Sequence, residues 1–275
     1  MPPRLLSLAV VAAWVGMSSW LFYRDLWPLI RPGEPPPFKI DFADEVLAKR
    51  PPIHWTVSKN GKAIYVEKTE ITYDPQLDQF EMTSELKPRP GLGADVPLAE
   101  RLTMKSLYVV THDGDLRKTS VTISLPVFGE ATVEGDVRDD RFYSRACVPL
   151  LGMKKDLEPV EVTGRGAALN PLQPWVRWPN LKPGQRWRLP VSEPLMDALA
   201  GLVPGLAANS LRMLDAEVLA KEEILSFAGR DEPCLIIQYT GEDAHGRTWV
   251  RASDGTVLRH EFSKGADDWV MQRDP

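Results

Sequence analysis

From His54 onward, apolar and polar residues alternate with a period of two, in runs of roughly ten broken by short turn signals. The clearest run is Gln79 to Lys87. Phe80, Met82, Ser84 and Leu86 fall on one side, and Gln79, Glu81, Thr83, Glu85 and Lys87 on the other. Successive side chains of a strand point to opposite faces, so this is the pattern of an antiparallel strand with one wet side.

The same period returns along the chain. Ala63 to Tyr73 follows the hairpin dipeptide Asn60-Gly61. Leu102 to Thr111 and Leu116 to Leu125 flank His112-Asp113-Gly114-Asp115, and Ala131 to Val137 leads through Arg138 to Arg141 into Phe142 to Val148. Later, Cys234 to Thr240, Arg247 to Arg251, Thr256 to Phe262 and Asp268 to Arg273 read as strands, with Ala252 to Gly255 as a turn. Residues 149 to 193 are less regular and rich in proline, and Ala216 to Phe227 reads equally as helix or strand. Asp41 to Arg50 and Pro194 to Ala208 are the two short helix candidates. Parallel sheets need a helix between successive strands, and these connections are too short to hold one. The expected fold is mainly β: a curved antiparallel sheet or open barrel of roughly ten to twelve strands, preceded by a transmembrane helix. Two halves divided near residues 150 to 190 are the alternative.

The helix expectation rests on Leu5 to Tyr23, 19 uncharged and mostly apolar residues between Arg4 and Arg24. Such a run spans roughly 28 Å as a helix, close to the hydrocarbon core of a bilayer. It reads as an uncleaved signal anchor, a cleaved secretory signal ending near Ser18, or a buried helix. Under the anchor reading Trp20, Tyr23 and Trp27 form an aromatic belt at the membrane interface. Residues 1–30 are then a membrane anchor, and 31–38, containing Pro35, Pro36 and Pro37, a stiff stalk. Residues 39–275 form a β-rich domain, expected on the extracytoplasmic side of a single-pass membrane protein.

Cys147 and Cys234 either form one bridge in an oxidising compartment or are two free thiols. A formal net charge of −5 with no basic stripe argues against nucleic-acid binding. No Gly-x-Ser-x-Gly elbow, His-Glu-x-x-His helix, phosphate-binding loop or Gly-x-Gly-x-x-Gly turn occurs. His54, His112, His245 and His260 have no second histidine at ligand spacing, and acidic pairs such as Asp139-Asp140 and Glu222-Glu223 fit solvated turns. The sequence therefore points to no catalytic residue, cofactor or metal.

One aromatic cluster stands out. Trp175, Trp178 and Trp187 alternate with Arg177, Arg186 and Arg188 in a proline-rich stretch. These six residues are the candidate rim of a ligand site, binding by apolar burial and cation–π contact. The alternative is a loop pinned to the core by its tryptophans.

The C-terminal segments Thr248-Trp249-Val250-Arg251, Asp254-Gly255-Thr256-Val257-Leu258-Arg259 and Trp269-Val270-Met271 resemble the closing strands of uncharacterised bacterial envelope β proteins. The pattern is also similar to the lipoprotein-carrier (LolA-like) half-barrels. That resemblance implies a sheet holding acyl chains in its concave face, with no catalytic residues to carry over. The functional expectation is non-catalytic binding of a lipid, peptide or envelope protein beside the bilayer. A structural or assembly subunit of a membrane complex is the second reading, and a hydrolase without a recognisable motif the third.

Overall fold

The computed structural model describes residues 4–21, 51–91, 101–111, 116–125, 129–138, 141–150, 153–156, 160–163, 177–178, 180–191, 212–242 and 244–275. Among the described residues one helix, α1 (Arg4–Leu21), precedes sixteen strands. In the first part of the chain these are β1 (Ile53–Lys59), β2 (Lys62–Asp74), β3 (Gln79–Pro88), β4 (Thr103–Thr111), β5 (Leu116–Leu125), β6 (Gly129–Arg138), β7 (Arg141–Leu150), β8 (Met153–Asp156) and β9 (Val160–Thr163). The second part contributes β10 (Arg186–Val191), β11 (Arg212–Val218), β12 (Glu223–Phe227), β13 (Arg230–Thr240), β14 (Ala244–Arg251), β15 (Val257–Lys264) and β16 (Asp267–Arg273).

All sixteen strands belong to one antiparallel sheet. Its order is β10-β11-β13-β14-β15-β16-β1-β2-β3-β4-β5-β6-β7-β8, with β12 on β13 and β9 on β7. The two arms of the sequence are thus fused rather than separate. β1 lies between β2 and β16, and Trp55 to Lys59 pair with Arg273 to Trp269. Local turn chemistry sets the hairpins. Asn60 and Gly61 have φ of 50° and 78° in the β1–β2 turn, and Ala228 and Gly229 have 51° and 74° in the β12–β13 turn. These are the positive values a two-residue hairpin requires.

Open sheets of more than about ten strands curl, and one face of this sheet is buried along nearly its whole width. That face carries Trp55, Phe80, Met82, Tyr108, Val110, Leu116, Trp187, Ala216, Ile237, Tyr239 and Val250 in one contiguous apolar cluster. A second cluster, Cys234, Ile236, Trp249 and Leu258, lies on the other face of β13 to β15 beside Leu225 and Phe227 of β12. Arg247 and Arg259 stack on the Trp249 ring at 4.8 and 5.5 Å from its centre.

The expectation of a transmembrane helix is corrected here. No helix among the described residues is long and apolar enough to cross a membrane. α1 is 18 residues long and opens on Arg4. Ser7, Gly16, Ser18 and Ser19 dilute its apolar character further. With it go the signal-anchor and single-pass topology. Trp20 is exposed on α1. Tyr23, Trp27, the residue 31–38 stalk and both short helix candidates lie outside the described residues.

Candidate functional site

The buried face of the sheet holds more hydrogen-bonding groups than the described residues satisfy. On β2 the face reads Tyr65, Glu67, Thr69, Ile71, so two polar side chains sit where apolar ones are expected. Thr69 stands opposite Ser84 of β3, and Ser84 opposite Ser106 of β4. One row further along, Thr119 of β5 faces Gly135 of β6, which faces Ser144 of β7. Directly opposed residues in adjacent strands have Cβ atoms about 5 Å apart, so Thr69, Ser84 and Ser106 form a continuous polar belt.

Every member of the belt is buried, Glu67 to 4% exposure. Ser84 donates a hydrogen bond to Glu67 Oε1. The hydroxyls of Thr69, Ser106 and Thr119 have no partner within the described structure. Burial is the leading influence on the Glu67 carboxyl and pushes its pKa up to about 7, with the Ser84 hydroxyl only partly opposing it.

The belt continues across β1. Trp55, fully buried, is the cross-strand neighbour of Glu67, and its indole Nε1 has no partner within the described structure. The Trp55 ring lies 5.9 Å from that of His260. His260 Nδ1 meets Thr248 Oγ1 at 2.8 Å, while Nε2 has no partner within the described structure. Burial lowers the His260 pKa to about 4, so the ring is neutral at physiological pH.

A buried hydroxyl or indole N–H without a partner costs about 1–3 kcal/mol, and native proteins keep few of them. Here they converge on one face beside Phe80, Met82 and Tyr108. That arrangement can receive a molecule with a hydrogen-bonding head and an apolar body. Ser84 is joined to a carboxyl group, and His260 lies two strands beyond Trp55 from that serine's partner.

The six residues of the tryptophan–arginine stretch occupy different places. Trp178 and Trp187 are buried in the main cluster with ring centres 5.8 Å apart. Trp178 N–H donates to Gly255 O, and Arg177 bridges to Thr256, so the segment is tied to the β14–β15 turn before it enters β10. Arg186 and Arg188 are exposed and pair with Glu217 and Asp215 of β11, each at 2.7 Å. Trp175 lies outside the described residues. Cys147 and Cys234 are not joined by a disulfide, and burial raises the Cys234 pKa to about 11.

Sequence reasoning placed Ser84 on the apolar face of its strand but passed over Glu67, Thr69, Ser106 and Thr119. Their signal was the break in alternation itself: polar residues in phase with the apolar face of three neighbouring strands. His54 and His245 are exposed, and His112 lies outside the described residues.

No protein-family model and no curated protein matches the chain. Two solved structures are similar in outline. One is the beta-barrel-like protein of a domain of unknown function (DUF1849) from Brucella abortus, with 9% identity, a TM-score of 0.37, and coverage of 82% of this chain and 96% of that one. The other is the hypothetical lipoprotein YmcC from Escherichia coli, with 16% identity, a TM-score of 0.31, and coverage of 80% and 85%. Neither is described as a lipoprotein-carrier half-barrel. Identities and scores this low transfer neither a ligand nor a role.

Proposed function

We propose that this protein binds an amphipathic molecule non-catalytically against the buried face of its sheet. The polar group rests on the Glu67–Ser84–Ser106 belt, and the apolar body lies along Phe80, Met82 and Tyr108. One observation carries the reading: the in-register row of buried hydroxyls, two of them without partners, on three adjacent strands. A ligand, or ordered water in its absence, supplies the missing hydrogen bonds.

The test is native mass spectrometry of the purified full chain, with solvent extraction of whatever it carries. A stoichiometric adduct of lipid-like mass is expected, and it should be lost in the double variant Thr69→Val, Ser106→Val. A homogeneous chain with no adduct would count against ligand binding. So would a double variant more stable by about 1 kcal/mol or more per hydroxyl removed, since such a gain means the groups were never satisfied.

A second reading, a subunit of a larger assembly, draws on α1. Trp14 and Met17 are 69% and 67% exposed there, an unusual display of large apolar side chains. Co-purification of a stoichiometric protein partner that is lost in Trp14→Ser, Met17→Ser is the result that would favour it.

A further inference from the structure

Resting on the binding reading above, we infer that the site selects amphiphiles with uncharged heads and rejects anionic ones, with Glu67 as the residue that enforces the choice. The argument begins with what surrounds that carboxyl group. On its own strand the buried-face neighbours are Tyr65 and Thr69, neither of them a cation. Lys68 points to the other face and pairs with Glu70 at 3.0 Å. From β3 the carboxyl group meets Ser84 and Leu86. Lys87 of that strand, with Lys105 of β4, pairs with Glu85 on the opposite face, at 2.8 and 3.4 Å.

From β1 it meets Trp55, and His54 points the other way into solvent. Beyond Trp55, Arg273 of β16 is the next charged residue on this face, one strand further from Glu67 than the indole. His260 of β15 touches the far side of Trp55 and is neutral above about pH 4. Among the described residues, then, Glu67 has a hydroxyl partner and no facing cation.

A carboxyl group so placed treats heads of different charge differently. An alcohol, an ester or an amide finds both a donor and an acceptor in Glu67 and Ser84. A sulfonate or phosphate brings a second negative charge into a dry site, and it binds only while Glu67 stays protonated. Burial places that transition near pH 7. Anion affinity should therefore fall about tenfold for each pH unit above that point, whereas a neutral head feels little change.

The experiment measures binding of two probes to the full chain by titration calorimetry below their micelle concentrations, at about pH 5.5 and about pH 8.5. The neutral probe is dodecylglycerol. The anionic one is dodecanesulfonate, which keeps its charge throughout this range. Dodecylglycerol should bind equally at both values, and dodecanesulfonate should weaken at least about tenfold at the higher one. In Glu67→Gln the sulfonate should bind alike at both. The Ser84→Ala variant, which keeps the carboxyl group, should retain the pH dependence. Sulfonate binding that ignores pH in the wild type, or keeps its pH dependence in Glu67→Gln, overturns the inference and leaves the binding reading standing. Failure of both probes at both values overturns the two together.

Discussion

Replacing Trp55 by alanine should destabilise the protein by about 3–5 kcal/mol, the largest single effect expected outside the turns. Trp55 is fully buried in the central strand of the sheet and belongs to the main apolar cluster, against which Ile53, Phe262 and Met271 also pack. A tryptophan buries about 150–250 Å² of surface. Its loss leaves a cavity that the flanking ladders of β2 and β16 hinder from closing. At about 2–4 °C per kcal/mol for a chain of this size, the melting temperature should drop by about 6–20 °C. Trp55→Phe keeps most of the packing and removes the unpartnered indole N–H, so it should cost far less. Leu77→Ala in the exposed β2–β3 turn is the control and should shift stability by no more than about 0.5 kcal/mol. A Trp55→Ala chain within about 1 kcal/mol of wild type would mean the residue is not central to the core.

The second large effect is hidden in the wild type. Glu67 and His260 are both buried without charge, but they lean on stability in opposite directions. The Glu67 pKa rises from 4.5 unfolded to about 7 folded. Between those values the unfolded chain has released a proton that the folded one keeps, so stability falls as pH rises. The His260 pKa falls from 6.5 to about 4. Between those values the unfolded chain holds the extra proton, so stability falls as pH drops.

Each gap is worth about 3 kcal/mol. In the shared window from about pH 4.5 to 6.5 the two slopes cancel, and urea midpoints of the wild type should be nearly flat. Glu67→Gln should expose the histidine as a loss of about 3 kcal/mol on acidification from about pH 6.5 to 4. His260→Leu should expose the carboxyl group as a loss of similar size on raising pH from about 4.5 to 7. Two variants with pH profiles as flat as the wild type would show that neither group is buried in the way described.

How much of this was legible in the sequence follows from what each residue had to signal. The hairpins were readable because their turns demand special residues: Asn60-Gly61 and the Asp254-Gly255 turn each name a conformation few other pairs adopt. Ala216 to Phe227 was ambiguous because two strands, β11 and β12, meet there on the same edge of β13. Phe142 to Val148 was readable as the body of β7, whereas its end and the strands β8 to β10 fall in the proline-rich stretch and were not read. Pro149 sits late in β7, opposite Lys154 of β8, and Pro190 lies in β10 at the far edge of the sheet, where a missing N–H is tolerated. The transmembrane reading failed because counting uncharged residues overlooked Ser7, Gly16, Ser18 and Ser19, which dilute the apolar character of α1.

The site was harder to see. His260 lies between Arg259 and Glu261, which point outward, so its neighbours advertised a surface that it does not share. Glu67 and Thr69 look like ordinary strand polarity until Ser84 and Ser106 are found beside them. That requires the register of three strands, which no single run of sequence contains. The tryptophans drew attention for the opposite reason, because large aromatic residues are conspicuous whether they bind a ligand or fill a core.

The pairing of β1 with β16 has a consequence for the order in which the molecule assembles. The runs β1 to β7 and β12 to β16 are meanders of neighbouring hairpins joined mostly by short connections, able to zip early. The seam between the arms joins Trp55 to Arg273, residues separated by almost the whole domain. Closing so long a loop is entropically costly, so the seam is expected to be the late step of folding. A ribosome-bound chain lacking β16 would hold two half-sheets with raw edges at β1 and β15, exposed in the middle of the future sheet until β16 is made.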